Sequence, residues 1–408
     1  MKLTSHKLAK TSLAVALLGL LTGTAHALTP EQKELQQLRA ELNALKATVQ
    51  AQQAPVSVVS APVAKSGSAL SLQTKNGAEA KIYGFVRADA YYKIKGNDAT
   101  SWQVWNDIAN APRGNNDKKL NTTVATTRLG LDFATPVAGD KKVGGKIEAD
   151  FIGGGNINGA NLRIRHAYLT YGNWLIGQTW STFNDLNFLP SIIDFNLAAG
   201  QGAQRHQMVR YETNIAPTTK VAVAVEKSTA SDRTPNLVGR VQQKFAGDAG
   251  LISARAFVGE AKRENEKEVA WGAAAGVSYK VSNDLKLMAD YNHIKGNTQY
   301  IATGINPAIA GFDANGDLVL NEFDSVSVAA NYNINPKLAG AVGLGYMKAK
   351  DKGIATANET ITQGFANVVY KPVPAVGFGL EYIHGETEQF NGTKGQDQRV
   401  GVNATYSF

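Results

Sequence analysis

The chain has 408 residues, 43% of them hydrophobic, with a mean hydropathy of −0.21, forty glycines, no cysteine and a formal charge of +8 at pH 7. Beyond residue 27 no apolar run approaches the ~20 residues that a transmembrane helix needs, which excludes a helical membrane protein. With no cysteine there is no disulfide staple. An isoelectric point of 9.3 suits anionic partners, so what matters is where the charges lie.

Residues 1–27 read as a secretory signal peptide: Lys2, Lys7 and Lys10 precede the short apolar core Leu13 to Leu21, and Ala25-His-Ala27 is a small-x-small cleavage site. Residues 28–52 read as a short coiled-coil helix. Leu28, Leu35, Leu42 and Val49 fall at a and Leu38 and Leu45 at d; Glu34 and Glu41 at g precede Arg39 and Lys46 at e by the spacing of interchain pairs. Thr29-Pro30-Glu31 supplies the cap and first-turn proline. An amphipathic helix lying on its own barrel is the competing reading. Residues 53–79, with Pro55, Pro62 and Gly67 and no periodicity, read as a flexible tether.

From residue 80 the pattern changes to strict alternation. At the C-terminus Val400, Val402, Ala404, Tyr406 and Phe408 share one face, and Arg399, Asn403, Thr405 and Ser407 the other, as suits a wall oiled outside and wetted inside. Sixteen such segments follow one another: 80–92, 121–134, 142–153, 161–171, 173–181, 206–214, 219–227, 236–245, 250–260, 269–279, 284–294, 322–333, 336–347, 361–371, 376–386 and 398–408. Breaks after even segments are tight (Gly172-Asn173, Val281-Ser-Asn283), whereas breaks after odd ones include 93–120, 182–205 and 295–321. Residues 80–408 are therefore expected to form an all-β fold, a 16-stranded antiparallel transmembrane β-barrel with tight turns toward the periplasm and the N-terminal helix on that side. Tyr91, Tyr92, Trp174, Trp180, Trp271, Tyr279, Tyr291, Tyr332, Tyr346, Tyr370 and Phe408 fall near segment ends, where interfacial girdles are expected.

If the apolar set of each strand faces lipid, the opposite set lines the lumen. That set carries Arg87, Arg128, Lys146, Arg163, Arg165, Arg210, Arg240, Arg255 and Arg399 as candidate anion-binding residues, with Asp89, Asp132, Glu148, Asp150 and Glu212 among them as internal partners. Strands 16, 1, 2, 3 and 4 are neighbours on closing, which gathers Arg399, Arg87, Arg128, Lys146, Arg163 and Arg165 into one basic wall. Arg87, Arg128, Arg165, Arg240 and Arg255 lie four to seven residues from the periplasmic ends of their segments, which sets them near mid-barrel. Arginine suits the task because its fork pairs with a carboxylate in bidentate fashion and keeps its charge.

The break at 182–205 is too apolar for a solvated loop. It is expected to fold into the barrel as a constriction loop, with Asp185, Asn187, Asp194 and Asn196 available to face the gap; an external lid or subunit contact is the alternative. Asp313-Ala-Asn-Gly-Asp317 with Glu322 places glycine and glutamate at positions four and ten, where an EF-hand needs six and twelve, so it reads as a polar turn. No histidine sits in a nucleophile motif, Gly153-Gly-Gly155 lacks the lysine of a phosphate loop, and neither enzymatic activity nor a cofactor or metal site is expected.

The whole organisation, with the phrases Ile82-Tyr-Gly-Phe-Val-Arg-Ala-Asp89, Arg165-His-Ala-Tyr-Leu-Thr-Tyr-Gly172, Ile176-Gly-Gln-Thr-Trp180 and Met208-Val-Arg-Tyr211, resembles the DcaP-like porins of Gram-negative bacteria. That resemblance implies a homotrimer in the outer membrane that takes up dicarboxylates or similar small anions. The expected partners are then small anionic solutes, outer-membrane lipid and lipopolysaccharide, and no nucleic acid. A second reading makes the barrel a structural anchor whose coiled coil contacts peptidoglycan or a periplasmic partner.

Overall fold

The computed structural model describes residues 70–408 other than 76, 97–117, 138–140, 154–160, 196, 203, 229–232, 302–308, 314, 351–352 and 354. The expected signal peptide, coiled-coil helix and most of the tether lie outside the described residues, as does Asn196.

Sixteen strands form the wall. They are β1 (Glu79–Lys95), β2 (Arg128–Pro136), β3 (Lys142–Gly153), β4 (Asn161–Tyr171), β5 (Trp174–Trp180) and β6 (Arg205–Ala216). Next come β7 (Thr219–Glu226), β8 (Asn236–Phe245), β9 (Gly250–Arg263), β10 (Glu266–Lys280) and β11 (Leu285–Lys295). The last five are β12 (Glu322–Asn335), β13 (Leu338–Ala349), β14 (Asn358–Val373), β15 (Val376–Gln389) and β16 (Lys394–Ser407). Each pairs antiparallel with the next, and β16 returns to β1 in the register Val86↔Tyr406, which closes the barrel. The Gly84 and Phe408 backbones exchange hydrogen bonds of 3.1 and 3.0 Å, so the terminal residue seals the seam. Closure satisfies every strand edge internally, which is what permits a sheet in hydrocarbon.

The structure refines several of the expected bounds. The segment 121–134 is two pieces, Lys119–Thr123 and β2, both paired with β1 and separated by a turn in which Thr127 donates to the Val124 carbonyl at 3.0 Å. Residues 70–73, expected as tether, form a strand on β1 in the register Leu70↔Ile82. Strands β9, β10, β15 and β16 run on past the expected segments; in β9 and β10 the pairing reaches Arg263↔Glu266. Charged residues there end the apolar period while the backbone ladder continues.

Alternation holds along the wall. On β12 and β13, Val326 and Leu344 are 41% and 60% exposed outside while Ser325 and Met347 are 2% and 0% exposed inside. Two aromatics depart from the expected girdle. Tyr91 lies on the lumenal side with Asp89 and is buried, and Trp180 meets His166 edge-to-face with ring centroids 5.3 Å apart and carries Arg165 and Arg205 over its ring. Trp174, Trp271, Tyr279, Tyr332 and Tyr370 do lie on the outer face.

The inner faces of β9 to β15 are partly apolar: Phe257, Ala274, Ile361, Phe365 and Ile383 are all buried. They need cover, and residues 181–204 provide it. Phe183, Ala199, Phe257, Ala274, Ile361 and Tyr300 form one buried cluster, and Ala198, Phe365 and Ile383 another. Gly345 allows the chain to pass there, since a Cβ on it would collide with the Ala199 carbonyl oxygen.

Candidate functional site: a basic wall facing an inward loop

The inward loop is held by two buried carboxylates. Glu226, at the end of β7, accepts the Ser181 hydroxyl at 2.7 Å and the Thr182 amide at 2.6 Å. Glu381, on β15, accepts the amides of Ile193 and Asp194 at 2.7 and 2.6 Å and the Asn367 side chain at 2.8 Å. Hydrogen bonds to a charged acceptor are the stronger kind, so these two residues fix the path of the loop across the lumen. Lesser ties follow the same path. Gln242 and Asn187 donate to Asp185 at 2.6 and 2.7 Å, Lys286 donates to the Asn187 carbonyl at 2.8 Å, and Gln363 accepts the Ala199 amide at 2.7 Å. Asn184 donates to the Tyr300 carbonyl at 2.7 Å, and Tyr300 stacks on His206, so a second connection clamps the first.

The expected basic residues divide into two groups. Arg87, Arg255 and Arg399 are committed to the loop side. Arg87 binds Asp89 at 2.6 Å and donates to the Ile193 carbonyl at 2.7 Å. Arg255 pairs with Asp290 beneath the rings of Phe183 and Phe188, and Arg399 forks onto Asp397 at 2.7 Å with Asp194 at 3.7 Å. The side chains of Arg255 and Arg399 are each 1% exposed, which corrects their assignment to a solute-facing wall. Asp185 and Asp194, expected to face the gap, are 3% and 2% exposed. Asp185 is consumed in pinning the loop and Asp194 sits beside Arg399. Asn187 binds Asp185.

The remaining group lines the opposite wall. Arg163 forks onto Asp150 at 2.9 and 2.7 Å; Arg165 meets Glu148 at 2.8 Å and Asp150 at 3.2 Å; Arg128 reaches Glu148 at 3.4 Å. Lys146 meets Asp132 at 2.9 Å and donates to the Tyr83 hydroxyl at 2.8 Å, and that hydroxyl donates to Glu148 at 2.8 Å. Arg240 binds Glu212 at 2.9 Å, a carboxylate that also takes Lys220 at 3.1 Å. Among the described residues the Arg210 guanidinium reaches only the Trp180 carbonyl, at 3.5 Å.

Two features escaped sequence reasoning. A bulge where β3 meets β4 sets Glu148 opposite His166 and Ala149 opposite Ile164, so Arg165 and His166, consecutive residues, both reach Glu148. Arg205 stands one residue before the expected segment and on the parity opposite to Arg210, yet its guanidinium lies 4.6 Å over the Trp180 ring, beside Arg165. Among the described residues neither Arg205 nor Arg210 has a carboxylate partner. Among the described residues eight cations (Arg128, Lys146, Arg163, Arg165, Arg205, Arg210, Lys220 and Arg240) thus share this wall with the four carboxylates that pair with them, Asp132, Glu148, Asp150 and Glu212. Across from it the loop presents Phe195, 5.8 Å from the Arg165 guanidinium.

The suspected calcium motif is a turn: Asp313 accepts the amides of Asn315 and Asp317 at 2.8 and 2.9 Å. Among the described residues no group of His, Asp or Glu is arranged to hold a metal ion.

A closed sixteen-stranded barrel with an inward loop is the architecture of outer-membrane porins, and the model of the DcaP outer membrane protein family matches residues 36–408. The chain belongs to that family. It is similar to the outer membrane channel DcaP of Acinetobacter baumannii, with 38% identity and a TM-score of 0.75 over 82% of this chain and 99% of that one. Two more distant barrels share the fold alone. OmpT of Vibrio cholerae is 15% identical with a TM-score of 0.55 over 84% of this chain and all of its own, and Salmonella typhi OmpF, in complex with daunomycin, is 14% identical with a TM-score of 0.58 over 83% of this chain and all of its own. No curated protein matches. This member of the DcaP family is an outer-membrane channel; in barrels of this kind the short turns face the periplasm.

Proposed function

We propose that the channel passes small anions, with dicarboxylates as the preferred class, and that the wall from β2 to β8 is its selectivity element. The observation that carries this is the excess of cations there, above all Arg205 and Arg210, which meet no carboxylate among the described residues. Guanidinium groups in a partly desolvated slot attract carboxylates, and the four acids already present keep the attraction shallow enough for release. An anion entering from outside is drawn to this wall, passes between it and the inward loop, and leaves to the periplasm.

A homotrimer is the assembly we infer. One of the similar structures is an OmpT trimer, and the outer face of β15, β16 and β1 offers an apolar groove of about 1160 Å³ lined by Val86, Ala88, Ala90, Phe378, Val402 and Ala404. The test of function is block of single-channel current by succinate. Wild-type current is expected to show concentration-dependent closures, and Arg205→Gln with Arg210→Gln to weaken that block by about tenfold, as for the loss of two partly screened charges. Block of equal strength in the double variant would remove these residues from the site.

A further inference from the structure

Under the tip of the inward loop, two lysines meet at the periplasmic mouth. Lys280 ends β10 and Lys286 begins β11 one residue in, and they are direct cross-strand partners. Lys280 continues the lumenal series of Ser278, and Lys286 that of Met288 and Asp290. Like charges directly opposite one another destabilise a sheet pair. Neither lysine has an ion-pair partner among the described residues, in contrast to Lys220 and Lys244 nearby, which take Glu212 and Asp248.

The two ammoniums are also held differently. Lys286 donates to the Asn187 carbonyl of the loop tip at 2.8 Å, which keeps its head under the loop, while among the described residues no hydrogen bond engages the Lys280 ammonium. Both line a cavity of about 280 Å³ with Ser191 of the loop and the amides Asn331 and Asn367. Asn331 and Asn367 in turn bind Ser191, so the cavity roof is fixed. One carboxylate, Asp284, shares the cavity, which leaves the charge balance positive.

We propose that Lys280 and Lys286 form an exit subsite for a small dianion, a dicarboxylate or hydrogen phosphate, on the periplasmic side of the constriction. A dianion between the two heads would neutralise the repulsion that the empty pair carries, whereas a monoanion would relieve only half of it. A second weak site in series with the arginine wall keeps the residence time at each short, as rapid flux requires. This inference rests on the anion-channel reading.

The test is side-specific block of single channels by succinate, by inorganic phosphate and by acetate as the monoanion control. Because the chain has no cysteine, Asn173→Cys in a periplasmic turn gives one biotin site, and streptavidin added to one chamber reports orientation. Lys280→Gln is the primary variant because it leaves the Lys286 bond to the loop intact; Lys280→Gln with Lys286→Gln is the second. In Lys280→Gln the association rate of both dianions from the periplasmic side is expected to fall about fivefold, while rates from the outer side and for acetate stay within about twofold. A fall for only one of the two dianions identifies which source of the shared charge the subsite takes. Unchanged periplasmic rates in both variants, in a wild-type pore that is anion-selective, overturn the exit subsite alone. A wild-type pore that prefers potassium over chloride overturns the anion reading, and this subsite with it.

Discussion

Glu381→Gln isolates the pin at the middle of the inward loop. The wild-type carboxylate accepts the amides of Ile193 and Asp194 and the side chain of Asn367 from a site only 1% exposed. Glutamine keeps the size but has a single acceptor oxygen, and it turns an NH₂ toward groups that are themselves donors. With its oxygen at the Oε2 place glutamine keeps the Ile193 and Asn367 bonds but loses the charge-assisted bond to the Asp194 amide, at about 1.5–3 kcal/mol, and the buried amide left facing an NH₂ costs about 1–3 kcal/mol more, or about 2.5–6 kcal/mol together. The barrel hydrogen bonds are untouched, and Glu226, Gln363 and Asn184 still hold the loop on either side. The effect therefore stays local. Amide hydrogen exchange at Ile193 and Asp194 is expected to accelerate by two to four orders of magnitude, at about 1.4 kcal/mol per tenfold, with strand amides unchanged. Open-channel current noise should rise in parallel. If both amides exchange as slowly as in the wild type, Glu381 does not hold the loop and the reasoning fails.

Acidification should loosen the same loop at its other side. Burial raises the Asp185 carboxyl, but the Arg240 guanidinium and donation from Gln242 and Asn187 outweigh that and hold it below the usual carboxylate range. Ionised Asp185 thus stabilises the docked loop fully above the ordinary value of about 3.9, and that contribution is lost as pH falls through the lowered one. Current noise is expected to grow below about pH 4 in the wild type, and to be present already at neutral pH, without an acid step, in Asp185→Asn. Gly345→Ala should push the Ala199 backbone off the wall and raise conductance while the barrel's heat resistance changes little. Unaltered conductance in that variant would place the loop elsewhere.

The wall was legible because a strand with lipid on one side and water on the other must alternate. β3, β4 and β8 begin and end at the expected residues, 142–153, 161–171 and 236–245. The tops of β9, β10, β15 and β16 were not legible, since outside the membrane band charged residues such as Lys262, Arg263 and Glu388 remove the apolar period without ending the ladder. Parity correctly placed Arg128, Lys146, Arg163, Arg165, Arg210 and Arg240 on one side. It could not tell the open ones among them from the covered Arg165, Arg255 and Arg399, because a covered lumenal arginine and an open one have the same spacing; what covers Arg255 and Arg399 is the path of residues 181–204. That path depends on Glu226 and Glu381, each a lone carboxylate at an inward position with no local pattern around it. Arg205 was hidden by its parity, and the bulge at Arg165 and His166 by the absence of any glycine to mark it.

On this reading the β2–β8 wall makes this DcaP-family channel select for anions. The reversal potential of the wild-type channel in a tenfold KCl gradient tests it most directly. The excess of cations over carboxylates, with Arg205 and Arg210 lacking acidic partners among the described residues, predicts a reversal potential of the sign set by chloride. A potential of the sign set by potassium would mean that Asp132, Glu148, Asp150 and Glu212 govern the lumen, and would contradict the account.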